Sequence, residues 1–423
     1  MGFTLLSVLM FLSTWFVCVS GTAPFTAYTN DFIDPDYILV GNFGDQTQAA
    51  QASIMAWANE LSLTGPWSVI QKPVTPPSGD KHDYMSWAPY WWPDCSSVGN
   101  TTVLPDEESI WTTCPYVQHD GVFNPDRLLV NDIGRFSNMS EAVLYNTIAW
   151  TFRTSDRETY EANAVKYLRT WFIDTETRMN TNLAYGQMHR GPTGQKGTAT
   201  GVLDLHSMTK VASSVLILRQ GQSTAWTAEL DDALKSWCRE YAQWLQTAAI
   251  AVSEGNAENN HGTFYAAQLA AVKIILGDLN GAKNATDNYF KKQFLEQIDG
   301  KGEQPLEASR THPYHYRSYN LAAVITTARI ASYLDRSSHP FNLTTNGGAT
   351  IKTAVDYSMT ISPATSSEEE YTSEIYPNVA AVAAIYGDSD GSYLNFVKDG
   401  YPDFIEEPFI LWDQPWAQDE KSM

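Results

Sequence analysis

The sequence predicts an all-α protein, an (α/α) toroid or incomplete α/α barrel with one long irregular loop region rich in aromatic residues. Three observations predict it. From Ser140 onward, apolar residues recur at helical spacing in segment after segment. Helix–loop–helix returns every ~40 residues, the rhythm of paired helices packed side by side. Neither a βαβ alternation nor a glycine-rich phosphate loop is present to suggest a parallel sheet.

Taken in order, Met1 to about Gly21 reads as a secretory signal peptide: an apolar run from Phe3 to Val19, then the small residues Ser20 and Gly21. Residues 22–423 then form a single domain. Thr22 to Asp45 is an N-terminal arm with a strand-like piece at Tyr37-Ile38-Leu39-Val40. Gln46 to Leu63 reads as the first amphipathic helix, with Ala49, Ile54, Met55, Trp57, Ala58 and Leu61 near helical spacing. Gly65 to Arg135 is the irregular region, crowded with Pro, Trp and Asp. A loop of this length in a compact domain is functional or stapled. Helices are then predicted at Ser140–Arg153, Glu158–Phe172, Val202–Arg219, Ala225–Ala249, Gly262–Ile275 and Ala285–Gln297. Four more follow at Tyr319–Leu334, Ala349–Met359, Thr372–Tyr386 and Ser392–Lys398. The tail from Asp413 is polar.

With 423 residues and 43% hydrophobic composition, the chain can bury a sizeable core. The formal net charge of −21 argues against nucleic acid as a partner, because phosphate binding needs a basic face. An acidic surface suits a secreted, soluble monomer, and an anionic substrate then requires a local basic cleft. No stretch after the signal reads as a membrane span. Cys95 and Cys114 flank a polar loop and are the expected disulfide; Cys238 lies in a helical run and is expected to be a buried thiol. No Cys/His spacing fits zinc, and no metal or cofactor is called for. Asn100, Asn138, Asn284 and Asn342 open glycosylation sequons. The expected location is extracellular.

The chemistry concentrates between Glu254 and Tyr319. Asn259-Asn260-His261-Gly262 leads into an apolar helix, and Arg310-Thr311-His312-Pro313-Tyr314-His315-Tyr316-Arg317 follows about fifty residues later. Amide, imidazole and guanidinium donors can neutralise a carboxylate, and preorganised donors of this kind supply on the order of 3 kcal/mol each to a developing oxyanion. A phenol beside them can move a proton. Together they meet the needs of β-elimination on a uronic acid polymer. Each residue also has a plainer role open to it. Asn259 and Asn260 suit a helix N-cap. Arg310 can pair with Glu307 or Glu303, and Tyr316 or Tyr319 can be core. Tyr314 is an alternative phenol, and His189, His206 and His315 are further imidazoles.

The block Lys81-His82-Asp83-Tyr84-Met85-Ser86-Trp87-Ala88-Pro89-Tyr90-Trp91-Trp92-Pro93-Asp94 resembles the alginate lyase domain of secreted and periplasmic polysaccharide lyases. So do Tyr185-Gly186-Gln187, Gly201-Val202-Leu203-Asp204, the Asn-Asn-His-Gly motif, and Arg310 through Tyr316. The resemblance spans roughly residues 75 to 335. It implies an (α/α) toroid that cleaves a β-1,4-linked polyuronate, alginate or glucuronan, without a required metal, leaving a 4,5-unsaturated uronic acid. It implies that Asn260, His261 and Arg310 meet the substrate carboxylate and that Tyr316 is base and acid. For a substrate with the opposite C5 configuration, His261 is the base instead. The Arg310-to-Tyr316 spacing and the displaced Phe264-Tyr265 place the chain nearer the glucuronan lyases. Arg317 can add to the field that favours a phenolate. Gln187, His189 and Arg190 are expected in a cleft loop, and Lys81, His82, Tyr84 and Trp91 at sugar subsites. The rival readings are a glycoside hydrolase, which needs two facing carboxylates, and a secreted protein that binds sugar without cleaving it.

Overall fold

The computed structural model describes residues 32–98 and 107–413. The expected signal peptide and the Asn100 sequon lie outside them. The described chain is 63% helix and 4% strand, which settles the class as all-α with the toroid architecture. It opens with α1 (Pro35–Val40) and α2 (Gln48–Thr64). The loop region carries β1 (Met85–Trp87), β2 (Trp91–Pro93), α3 (Glu107–Thr113) and β3 (Tyr116–Gln118). Then come α4 (Asp132–Thr151), α5 (Arg157–Leu168), β4 (Tyr185–Met188), α6 (Met208–Gln220), α7 (Ala228–Thr247), α8 (Ala249–Gly255) and α9 (Asn260–Leu276). The C-terminal part holds α10 (Leu279–Phe290), α11 (Phe294–Gln297), α12 (Pro305–Ala308), α13 (Pro313–Leu334), α14 (Ile351–Met359), α15 (Tyr376–Tyr386) and α16 (Ser392–Gly400).

Helices α4 and α9 hold the assembly together. Helix α4 packs on α2, α5 and α6, and α9 packs on α6, α7, α10 and α13. One apolar cluster runs from Ile54 through Ile148 and Leu216 to Ile274, and a second surrounds Leu321, Val379 and Val397. Helices buried on several sides read as nearly continuous apolar sequence. In α6, for example, Met208 through Leu218 are all buried. The segment Ala199–Gln220 is long and apolar enough to cross a membrane, contrary to expectation, yet it is almost wholly packed inside the protein.

Several boundaries differ from the sequence reading: α4 starts at Asp132 rather than Ser140, for example, and the predicted Ala285–Gln297 helix is the end of α10 followed by α11. The strand-like Tyr37–Val40 is helical, because Asp34 caps the turn by accepting from the Asp36 N–H (3.0 Å) and Pro35 stands in its first turn. The predicted helix Val202–Arg219 is a 3₁₀ segment, Ala199–Leu205, followed by α6. Helix α13 begins at Pro313, six residues before Tyr319. The Glu368 carboxylate accepts from the N–H groups of Tyr314 (2.9 Å) and His315 (3.1 Å), an anion at a helix start supplied from far along the chain.

The irregular region is stapled. Cys95 and Cys114 form the disulfide, and β2 pairs antiparallel with β3 just outside it, Trp91 opposite Gln118. Strand β1 pairs parallel with β4, so the aromatic loop lies on the Gly186 loop. The Cα atoms of Gly186 and Gly201 leave no room for side chains: a Cβ on Gly186 would stand 2.9 Å from the Gly201 carbonyl oxygen. A buried ion pair, Lys72 to Asp132 at 2.9 Å, ties the start of the loop to α4, and Asp132 also accepts from the Met85 N–H (3.0 Å). Cys238 is a buried free thiol.

Candidate active site

A cleft of about 560 Å³ opens where the aromatic loop meets the N-termini of α9 and α13. Asn260, His261, Arg310 and Tyr316 all line it. The local sequence explains their placement. Asn259 accepts from the His261 N–H (3.3 Å) and starts α9, so the next two side chains emerge at the helix mouth. Tyr316 sits in the first turns of α13, which Glu368 anchors.

Asn260 is fully buried and held by Glu307, which accepts from its backbone N–H and from its Nδ2, each at 2.7 Å. Its Oδ1 has no protein partner among the described residues. His261 pairs through Nδ1 with Glu254 Oε1 at 2.6 Å. A carboxylate only accepts, so Nδ1 carries the hydrogen and Nε2 keeps its lone pair. Arg310 donates from Nη2 to Tyr316 Oη (2.9 Å), and its guanidinium carbon stands 3.9 Å from the centre of the Tyr316 ring. Tyr90 Oη lies 3.3 Å from Tyr316 Oη. Burial pushes the Tyr316 phenol well above its ordinary value; Tyr90 adds to this and the Arg310 charge opposes it. Tyr316 is therefore a neutral phenol at rest. His315 flanks it edge-on at 4.9 Å and pairs with Glu374 at 2.7 Å.

The expected ion pairs of Arg310 are not formed. Glu303 takes Arg317 in a two-pronged pair (2.7 and 2.8 Å), Glu307 takes Asn260, and Asp120 stands 3.7 Å from Arg310.

Of the proposed subsite residues, Gln187, His189 and Trp91 line the cleft. Gln187 adopts a left-handed backbone (φ 41°), uncommon for a residue with a side chain. Its N–H donates to Ser86 Oγ (2.7 Å) and its Nε2 to Asp204 Oδ1 (2.9 Å). His189 stacks on Trp91 with ring centres 3.8 Å apart. The others are placed elsewhere. Arg190 is buried between the rings of Trp87 and Tyr116 and paired with Asp126 (3.1 Å). Tyr84 is buried and donates to Asp204 (2.9 Å). His82 binds the Arg178 carbonyl (2.7 Å), and Lys81 is exposed beside it, outside the cleft lining. Tyr314 is buried with its hydroxyl on the Thr372 carbonyl (3.2 Å). Arg317 is consumed by Glu303. Sequence reasoning missed Glu254 as the partner of His261, and Tyr90 and Arg127 as cleft residues. Glu254 lies on α8, across a helix break no pattern signals; Tyr90 stood inside the quoted aromatic block.

A helical toroid with an aromatic-walled cleft and a charge-neutralising donor set is the build of a polysaccharide lyase, and this chain is one. It belongs to the alginate lyase family, which matches residues 68–368. Among solved structures, an alginate lyase from Bacteroides ovatus is 27% identical and superposes with a TM-score of 0.77, over 91% of this chain and 98% of that one. Alginate lyase A1-III from Sphingomonas species A1 is 14% identical, with a TM-score of 0.44 over 93% of this chain and 99% of that one. A variant of A1-III complexed with a tetrasaccharide is 13% identical, with a TM-score of 0.47 over 82% and 90%. No curated protein sequence matches the chain.

Proposed function

We propose that the protein is a secreted lyase that cuts an alginate-like polyuronate by β-elimination, with Asn260, His261, Arg310 and Tyr316 as its working residues. The observation that carries this is their convergence on one cleft. Arg310 and the second Nδ2 hydrogen of Asn260 face the carboxylate whose C5 proton is removed, and Arg310 offsets the enolate charge. The Nε2 lone pair of His261, whose ring Glu254 orients through Nδ1, takes the C5 proton. Tyr316 gives its proton to the leaving glycosidic oxygen; a phenol kept neutral by burial suits an acid better than a base. Arg310, already bonded to Tyr316 Oη, then stabilises the phenolate left behind.

The hydrolase alternative finds little support among the cleft carboxylates. Asp204 is saturated by Tyr84, Ser86 and Gln187, and Asp120 faces Arg310. The chain acts as a single domain on an extracellular polysaccharide. Secretion is supported by the disulfide and by the exposed sequon asparagines Asn138, Asn284 and Asn342. The test is incubation with polymannuronate, polyguluronate and glucuronan in parallel, following ultraviolet absorbance of the unsaturated product. A rise on at least one polymer is expected. New reducing ends without absorbance would make the protein a hydrolase instead.

A further inference from the structure

The cleft holds one more cation that the elimination does not use. Arg127 lines it, on the 3₁₀ turn Pro125–Leu129. Its guanidinium carbon stands 4.4 Å from the centre of the Phe123 ring. No carboxylate lies within ion-pair distance of it among the described residues. Its sequence neighbour Asp126 is turned the other way and held by Arg190. Of the two arginines that line the cleft, Arg310 has Asp120 at 3.7 Å and Arg127 has no carboxylate partner among the described residues.

The turn is fixed in place. Asn124, 1% exposed, caps it by accepting from the Asp126 N–H (3.0 Å) and donates from its side chain to the Trp91 carbonyl (2.9 Å). Its backbone N–H donates to the Pro89 carbonyl (2.7 Å). These bonds lock Arg127 and Phe123 onto the stretch that carries Tyr90. Phe123 packs on Tyr90 with ring centres 5.2 Å apart, and Tyr90 reaches Tyr316. A continuous row of contacts therefore leads from Arg127 to the reacting phenol, with Phe123 and Tyr90 between. Along that row the rings of Phe123, Tyr90 and Tyr316 stand between Arg127 and Arg310.

We propose that Arg127, with the Phe123 ring, forms a separate subsite that recognises the carboxylate of a neighbouring uronic acid residue in the bound chain. This rests on the polyuronate reading above and deepens it. A polyuronate presents a carboxylate on every sugar, and a guanidinium fork pairs with one in two prongs. The Phe123 ring beneath it holds the guanidinium in place. The subsite makes the enzyme select for consecutive charged residues.

The test measures binding and turnover separately. A uronic acid oligomer and its carboxyl-reduced, neutral counterpart are titrated calorimetrically against the wild-type protein, Arg127→Ala and Arg127→Lys. Loss of one charged contact is expected to weaken uronate binding about tenfold in Arg127→Ala. Arg127→Lys should recover part of that, and the neutral oligomer should bind both variants and the wild type alike. In turnover, KM on the polymer should rise with kcat little changed. Equal losses on charged and neutral oligomers, or no loss on either, would overturn the subsite. Wild-type binding of the charged oligomer without any cleavage would instead overturn the lyase reading and leave the subsite standing.

Discussion

Glu307 holds Asn260 twice, accepting its backbone N–H and its side-chain Nδ2 at 2.7 Å each, and both residues are buried. The two bonds fix how the amide is turned. With one Nδ2 hydrogen on Glu307, the second Nδ2 hydrogen and the unpartnered Oδ1 remain on a side chain that lines the cleft. The position of the α9 N-terminus, and with it His261, depends on the same carboxylate.

Glu307→Gln therefore tests more than a hydrogen bond. Glutamine keeps one acceptor for the backbone N–H and sets an NH₂ against Asn260 Nδ2, so the Asn260 amide must turn over or lose its partner. Leaving a buried polar group unpaired costs about 1–3 kcal/mol. The expected outcome is a fall in kcat of at least tenfold with a modest drop in Tm. A variant with normal kcat and a lowered Tm would make Glu307 a structural residue only.

Tyr316→Phe removes the proposed proton donor and the atom that receives the Arg310 bond, while the ring and its cation–π contact remain. Turnover should be abolished with oligosaccharide binding nearly intact, measured calorimetrically. Arg310→Ala should lose several kcal/mol of transition-state stabilisation, about 10²–10³-fold in kcat by analogy with other oxyanion donors. Unchanged turnover in either variant would remove that residue from the chemistry.

Glu254→Gln addresses the base. Glutamine can still hold the His261 ring by a hydrogen bond, and it removes the charge that would face the imidazolium formed when Nε2 takes a proton. The expected result is a large loss of kcat with oligosaccharide binding retained, measured calorimetrically. An unaltered kcat would show that His261 only binds the substrate.

How much of this was legible in the sequence follows from how local each cause is. The start of α9 was readable because its cap, Asn259, is contiguous with the helix it caps. Asn260, His261, Arg310 and Tyr316 were readable because two short motifs carry them. The true start of α13 was not, since Glu368 caps it from the far side of the helix. Lys81, His82 and Tyr84 sat in the right motif, and the structure leaves Lys81 exposed and spends His82 on loop closure and Tyr84 on the core, because a conspicuous polar residue in an aromatic block has no direction until the backbone assigns one. Arg127 carried no motif at all; only the capture of Asp126 by Arg190 leaves it unpaired.

Asp204 gives a pH-dependent stability prediction. Burial raises its carboxyl to about 6, against the hydrogen bonds from Ser86, Gln187 and Tyr84. The folded state therefore binds more protons at this site than the unfolded chain between about pH 4 and 6. Its contribution is most favourable at the acid end of that window and is lost as pH rises through the folded value. Asp204→Asn cannot ionise. The Tm of the variant minus that of wild type should therefore increase from pH 4 toward pH 6 and level off above it, by on the order of 3 kcal/mol in stability. A difference independent of pH would show that Asp204 is ionised throughout.

The disulfide tests whether the aromatic wall is part of the working site. Cys95 and Cys114 are 19 residues apart in sequence, a loop whose closure contributes about 3 kcal/mol by constraining the unfolded chain. They lie in the connection between β2 and β3 and close the end of that ribbon, and the chain on either side of it carries Tyr90, Phe123 and Arg127. The double variant Cys95→Ser, Cys114→Ser should unfold at lower temperature and show a raised KM on polymer, because the wall loses its staple. The four residues at the helix mouths are held by Glu307, Glu254 and Glu368 rather than by the ribbon, so kcat at saturating substrate should change much less. If kcat collapses while KM holds, the ribbon positions Tyr316 itself through Tyr90, and the division between a rigid reacting centre and a stapled sugar-binding wall is wrong.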